Sequence, residues 1–255
     1  MMHARTGLLC LAVVLVGGGC ATRRAIDEPL HLDAEGSVAI EVDSFAGDVV
    51  IDANPGHESI TVTVRREAFH GHLREHEAEA SLAEIQYTAE LVPGDSGQRL
   101  VIRLWTYDPE PYFQCAHLHV EAPAVNGLTV RAGQGRVHAR GIEGPVNIAA
   151  GACNVRVMTN LPMLEPVTIV TDDGDIDYRV RGESRGAFDC ATSEGRVDHR
   201  VRSGRFVISG ERRDDRMVAT LNGGTNPVVL RTGEGDIRVA VVDNPEEVGR
   251  VISGP

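Results

Sequence analysis

Carboxylates recur beside glycines in this chain. Asp172, Asp173 and Asp175 flank Gly174, Glu194 precedes Gly195, and Glu234 and Asp236 flank Gly235. Hard oxygen donors on glycine-pinned turns are the chemistry of a calcium site, so Asp172, Asp173, Asp175 and Glu194 are calcium candidates. The strict nonapeptide calcium repeat is missing. The same turns carry Arg136, Arg196 and Arg216, so the competing reading is a solvated edge of Arg–carboxylate pairs, or a docking surface for a basic partner. His72 and His76, four apart, would share a helix face with His70 nearby, but no third ligand is evident in the sequence and Glu79 would be a guess. That spacing can grip zinc, yet scattered histidines on a surface helix are commoner. Asp175, Asp177 and Asp198 could serve as the carboxylates of a carbohydrate-active enzyme, but no Gly-x-Ser-x-Gly elbow or P-loop accompanies them. No catalytic residue and no cofactor is assigned. His117, His119 and His199 read as structural.

The elements that must position these residues are strands. One phrase repeats: an apolar residue, a small residue or Thr, two turn residues, Gly, a polar residue, then Val or Ile. It occurs at Val130–Val137, Ile169–Ile176, Thr192–Val197 and Leu230–Ile237, with an early copy from Val42 through Gly47 to Val49. The glycine places Gly135, Cys153, Gly174, Gly195 and Gly235 follow at intervals of about 20 residues, the last doubled. A further rung is therefore expected over 208–221, with Asp215 in the glycine place. Period-two alternation puts Val130, Ile148, Ile169, Cys190 and Leu230 on one strand face, and Val137, Val155, Ile176, Val197 and Ile237 on another. The fold expected is all-β: a parallel β-solenoid (β-helix) with rungs of about 20 residues, about seven of them stacked at about 4.8 Å. Residues 71–86 read as an amphipathic helix, which would cap the open end of the stack.

Composition agrees. Apolar residues make up 42%, aromatics only 4%, and there are 28 glycines. Small and β-branched residues suit stacked flat sheets. The net charge of −12 argues against nucleic acid, whose phosphates demand a basic stripe. All 25 basic residues are Arg, a usage like that of a GC-rich genome. Cys115, Cys153 and Cys190 are too few and too scattered for a disulfide framework.

The first residues read as a targeting segment: Arg5, then an apolar run from Leu8 to Val16, ending in Val16-Gly17-Gly18-Gly19-Cys20. This resembles a bacterial lipoprotein signal, although Gly17 stands where such signals usually carry an aliphatic residue. The resemblance implies cleavage before Cys20, lipidation of Cys20, and attachment to a membrane through that lipid. Ala21 in place of Asp after the cysteine implies the outer membrane. The expected organisation is signal peptide 1–19, tether 20–35, N-terminal strands with a helical cap insertion 36–127, repeated rungs 128–242 and a tail 243–255.

The strand Leu118-His119-Val120-Glu121-Ala122-Pro123, the phrase from Leu128 to Val137, the Gly-Asp-Ile phrases at Gly174 and Gly235, and the opening Phe45–Ile51 carry a second resemblance. Serially repeated over 36–242, they resemble the bacterial adhesin-like, β-strand-repeat domain family called DUF4097. That likeness implies an exported or envelope-associated β-solenoid with no established active site. Cys153 and the glycine-less turn near Asp215 depart from the pattern. The function expected is that of a lipid-anchored, non-enzymatic binding, adhesion or scaffold module, with an envelope protein or polysaccharide as partner. The alternatives are a carbohydrate-active β-helix enzyme and a calcium-stiffened solenoid.

Overall fold

Wherever apolar residues alternate with polar ones, the chain extends. The computed structural model describes residues 21–247 except 35, 72–73, 95–96, 109–112 and 211–212. The lipidation candidate Cys20, the signal segment, His72 and the last tail residues lie outside the described residues. The N-terminal elements are β1 (Ala21–Ile26), β2 (Leu30–Leu32), β3 (Val38–Ser44), β4 (Val49–Ala53), β5 (Ile60–His70), α1 (Glu75–Glu84), β6 (Ile85–Gly94), β7 (Gly97–Thr106) and β8 (Gln114–Ala122). Two long strands follow, β9 (Val125–Arg140) and β10 (Ile142–Met158). Then come β11 (Val167–Asp173), β12 (Ile176–Val180), β13 (Gly186–Glu194), β14 (Val197–Val201), β15 (Phe206–Ser209), β16 (Arg216–Leu221), β17 (Pro227–Glu234) and β18 (Ile237–Val241).

The architecture is all-β, one large, mostly parallel, open sheet that bends at the corners. Strands before the corner stack in the order β7, β3, β9, β10, β11, β17, β13, all parallel. Strands after it stack as β8, β4, β9, β10, β12, β18, β14, also parallel. Antiparallel strands flank both ends: β6 on β7, β5 on β8 with β1 and β2 beyond it, and the β15–β16 hairpin on β13. Between the two walls lies the core. Ile102, Val42, Val130, Ile148, Ile169, Leu230 and Cys190 form one continuous buried column, and Leu118, Val49, Val137, Val155, Ile176 and Ile237 face it. Each such side chain contributes about 1.5–3 kcal/mol by leaving water. Burial pushes the Cys190 thiol up to about 12 and the Cys153 thiol up to about 11, which makes them inert fillers.

The stack departs from the sequence expectation in its order. The phrase at Gly235 sits between those at Gly174 and Gly195, because β17 pairs with both β11 and β13. Residues 208–221 are not a rung. They contribute to an antiparallel hairpin, with Ile208 opposite Ala219 and Cys190 opposite Met217. The missing glycine goes with this: the glycine places Gly47, Gly135, Gly174, Gly195 and Gly235 all have φ between 114° and 151°, a conformation that favours glycine. Asp215 has no such freedom. Cys153, also not a glycine, leaves the ladder in register nonetheless: Gln134 pairs with Ala152 and Val137 with Val155. Its side chain turns into the core at 1% exposure.

Two further segments differ from expectation. The expected tether contains β1 and β2, both paired with β5. The expected helix over 71–86 is shorter, Glu75–Glu84, and Ile85 already begins β6. Val242 N–H bonds to the Val180 carbonyl at 3.0 Å, and Glu246 bonds to Arg140 at 2.7 Å, so the start of the tail is tied to the second wall.

Candidate functional site: the corner edge and its trough

At each corner the chain must pass the layer below at close range, and the residues around the glycine are the ones that complete the passage. Three residues before it stands the small residue or Thr of the repeat. Thr171 Oγ1 donates toward the Cys153 carbonyl at 3.0 Å, Thr232 Oγ1 to Gly174 at 2.8 Å, and Thr192 Oγ1 to Gly235 at 2.9 Å. Each hydroxyl lies within hydrogen-bond distance of the carbonyl at the glycine place of the neighbouring layer, and Thr171 Oγ1 also reaches the Gly151 carbonyl at 2.8 Å.

The residue after the glycine does the reverse and accepts. Arg136 N–H donates to Asp48 Oδ1 at 3.1 Å, Asp175 N–H to Asn154 Oδ1 at 2.9 Å, Asp236 N–H to Asp175 Oδ1 at 2.9 Å, and Arg196 N–H to Asp236 Oδ1 at 3.0 Å. Arginines then neutralise the edge. Arg136 lies on both oxygens of Asp48 at 3.2 and 2.6 Å, and its hydrogen bond holds the Asp48 carboxyl below the usual carboxylate value. Arg238 bridges Asp175 at 2.7 Å and Asp236 at 2.9 Å.

Of the calcium candidates, Asp172, Asp173 and Asp175 share one layer. Glu194 is two layers away, with Glu234 between it and Asp173. Among the described residues these four do not gather their oxygens within ligating distance of one another. The enzyme candidates are likewise interleaved: Asp177 pairs across strands with Arg238, and Arg238 with Asp198. Asp177 is held by Arg179 at 2.6 Å and by Arg156 at 3.1 Å. His76 is exposed on α1. His119 is exposed and His199 stacks on Phe206 with ring centroids 5.9 Å apart. Burial lowers the pKa of His138 on the same wall.

Beside the corners the first wall carries a shallow, open depression. An open trough of about 510 Å³ crosses several layers, lined among others by Gly133, Ala149, Gly151 and Val170. Asp43, Arg131 and Asp172 are exposed around it. Glycine is enforced in the floor, since a Cβ on Gly133 or Gly151 would overlap the backbone carbonyl oxygen of Phe45 or Gly133. The trough is thus a consequence of the close corner passage: where no side chain fits, a surface depression remains.

Sequence reasoning missed the trough, which exists only once Asp43, Arg131, Ala149 and Val170 are brought into one cross-strand row. It also missed a mixed cluster on β5 and β8. Ligand atoms of Glu67, Cys115 and His117 all lie within 4.8 Å of one another. The alternation of Cys115 with His117 was the available signal.

No family model matches the chain, and no curated protein matches it. Solved structures similar to it include one described as a "putative cell adhesion protein" from Clostridium sporogenes, with a TM-score of 0.52 at 10% identity, covering 86% of this chain and 99% of that one. Another, described as a "putative adhesin" from Bacteroides fragilis, has a TM-score of 0.33 at 10% identity, covering 89% and 98%. The first likeness is one of fold; the second is too low for structural argument.

Proposed function

We propose that this chain is a non-enzymatic binding module of the bacterial envelope: a β-solenoid of corner-turned layers, held at a membrane by lipid on Cys20, that presents its trough to an extended polymer, in the first instance a polysaccharide. The observation that carries the reading is the trough itself. It is shallow and open, Gly133 and Gly151 in it have no room for a side chain, and layers spaced at about 4.8 Å give it length along the stack. Carboxylate and guanidinium groups of Asp43, Arg131 and Asp172 offer acceptors and donors to sugar hydroxyls, and the exposed face of Val170 offers an apolar contact to a sugar ring. The fold shared with the Clostridium sporogenes protein supports an adhesive role, as does the resemblance of the repeats to the adhesin-like family. Against the carbohydrate-enzyme alternative, the interleaving of Asp177, Arg238 and Asp198 neutralises the carboxylates that would have to act together.

Glycan-array binding tests the trough. Ala149 points outward from its floor, so Ala149→Trp fills it without entering the core. The variant is expected to bind at least about tenfold more weakly, equivalent to about 1.4 kcal/mol, with stability changed by no more than about 0.5 kcal/mol. Equal binding by wild type and variant on every glycan removes the trough as the site; a hit on envelope proteins alone makes the partner a polypeptide.

The anchor is tested separately. Because β1 begins at Ala21 and pairs directly with β5, a lipid on Cys20 would sit at the wall of the fold and not on a long leash. Metabolic labelling with a fatty acid is expected to mark the wild-type chain and leave Cys20→Ala unmarked. Equal labelling of the two would end the lipoprotein reading.

A further inference from the structure

The antiparallel pairing of β5 with β8 places Glu67 opposite Cys115 and Arg65 opposite His117. Cys115 and His117 are two apart on one strand, so both project from the outward face of the second wall. All three residues are partly or largely shielded, with Glu67 at 9% exposure. Cys115 Sγ and His117 Nε2 are 3.3 Å apart. Two ligands of one tetrahedral zinc ion, bound at about 2.3 Å through sulfur and about 2.0 Å through nitrogen, stand about 3.5 Å from each other.

We propose that Glu67, Cys115 and His117 form a binding site for a divalent transition metal of the zinc class. A thiolate and an imidazole favour such an ion over magnesium or calcium, which take oxygen ligands. One thiolate and one carboxylate balance its double charge. Arg65 Nε lies 3.0 Å from Glu67 Oε1, so the carboxylate is held beside the thiol and the imidazole. Three protein ligands leave a fourth position for water or for a donor from outside the chain.

The support behind the histidine fits the same role. His117 Nδ1 is 3.5 Å from Asp48 Oδ2, and Asp48 is in turn fixed by Arg136. A metal-ligating histidine commonly donates its other ring N–H to a carboxylate, which sets the tautomer and ring orientation. Asp48 N–H also lies 3.1 Å from His117 Nδ1. With Asp48 N–H as donor, Nδ1 is the acceptor and Nε2 carries the proton toward Cys115. Metal binding at Nε2 requires the other tautomer, with Nδ1–H turned to the Asp48 carboxylate. The Cys115 thiol gives up its proton to solvent as it binds. Metal binding therefore exchanges the bond from Asp48 N–H to Nδ1 for one from Nδ1–H to the Asp48 carboxylate.

The test is cobalt substitution in the full chain after chelator treatment. The wild type is expected to take up one equivalent of Co²⁺ with a thiolate-to-cobalt charge-transfer band in the near ultraviolet, and Zn²⁺ is expected to displace it. Cys115→Ser abolishes that band, Glu67→Gln and His117→Gln weaken uptake, and Asp48→Asn, acting through His117, lowers affinity by about 10–100-fold. Thermal melts of each variant separate lost ligation from lost fold. Should Cys115→Ser fail to fold, the wild-type spectrum and the Glu67→Gln and His117→Gln titrations decide. A wild type without the charge-transfer band, a band that persists in folded Cys115→Ser, or uptake unaffected by Glu67→Gln and His117→Gln overturns the site and leaves a plain thiol–imidazole hydrogen bond.

Discussion

Gly174→Ala unfolds about 10–15 °C below the wild-type chain. Gly174 lies near the middle of the corner column, with the Cys153 layer on one side and the Gly235 layer on the other. Two separate costs meet there. Its φ of 137° is a conformation that L residues rarely adopt, and a Cβ at that position would overlap the Cys153 carbonyl oxygen. That oxygen cannot easily retreat, because Cys153 pairs with Gly135 and its neighbours Ala152 and Val155 pair with Asp173 and Ile176. Backbone strain alone costs on the order of 1–3 kcal/mol, and the overlap brings the total to about 4 kcal/mol. For a chain of this size each kcal/mol shifts the melting temperature by about 2–4 °C. Gly223→Ala is the control: φ is 64°, also left-handed, but a Cβ there meets nothing within 4 Å. It should lose only about 1–2 kcal/mol. Calorimetry or a CD melt of both variants checks the argument. If the two lose the same amount, the corners are not a close passage but merely turns.

The contrast between these two glycines also explains what was legible in the sequence. Corner glycines stand out because no other residue fits both the angle and the gap, so the repeat at Gly135, Gly174, Gly195 and Gly235 is visible without a structure. The inward columns are visible for a similar reason: alternation admits one assignment of faces. Layer order is not visible. Val228, Leu230 and Ile237 match Val167, Ile169 and Ile176 as well as they match Phe188, Cys190 and Val197, so nothing local says that β17 belongs between β11 and β13. For the same reason Met217, Ala219 and Leu221 imitate a rung: an antiparallel strand alternates just as a parallel one does, and only the lost glycine tells them apart. The candidate site divides along this line. The carboxylates after the glycines were legible as an edge, but their acceptance of the next layer's N–H depends on order, and with it the separation of Glu194 from Asp173. Cys115 and His117 were a visible pair; Glu67 reaches them only through strand pairing. Nor was β1 visible, since Ala21-Thr22-Arg23-Arg24 shows no apolar alternation and owes its extension to pairing with β5.

Asp177→Ala should cost about 3 kcal/mol, and the double change Asp177→Leu with Arg179→Leu much less. Arg179 occupies an outward position on β12, yet its side chain is only 3% exposed. Its Nε and Nη2 grip Asp177 Oδ1 and Oδ2 at 2.8 and 2.6 Å, a bidentate pair removed from water. Removing the carboxylate leaves a guanidinium that still carries its charge inside the wall, and breaking such a pair typically costs about 3–5 kcal/mol. The lower end applies because Arg156, the other partner of Asp177, is 43% exposed and can turn to water. Replacing both partners by apolar side chains removes the charge together with its partner, which is often nearly neutral. The exposed pair Arg213–Asp215, at 61% and 44% exposure, is the comparison for an ion pair left in solvent: Asp215→Ala should leave stability nearly unchanged. Urea unfolding of the three variants measures these differences. A double variant as unstable as Asp177→Ala would mean that Asp177 acts through packing and not through charge, and the alternation Arg156, Asp177, Arg238, Asp198 along this wall would then be a matter of solubility alone.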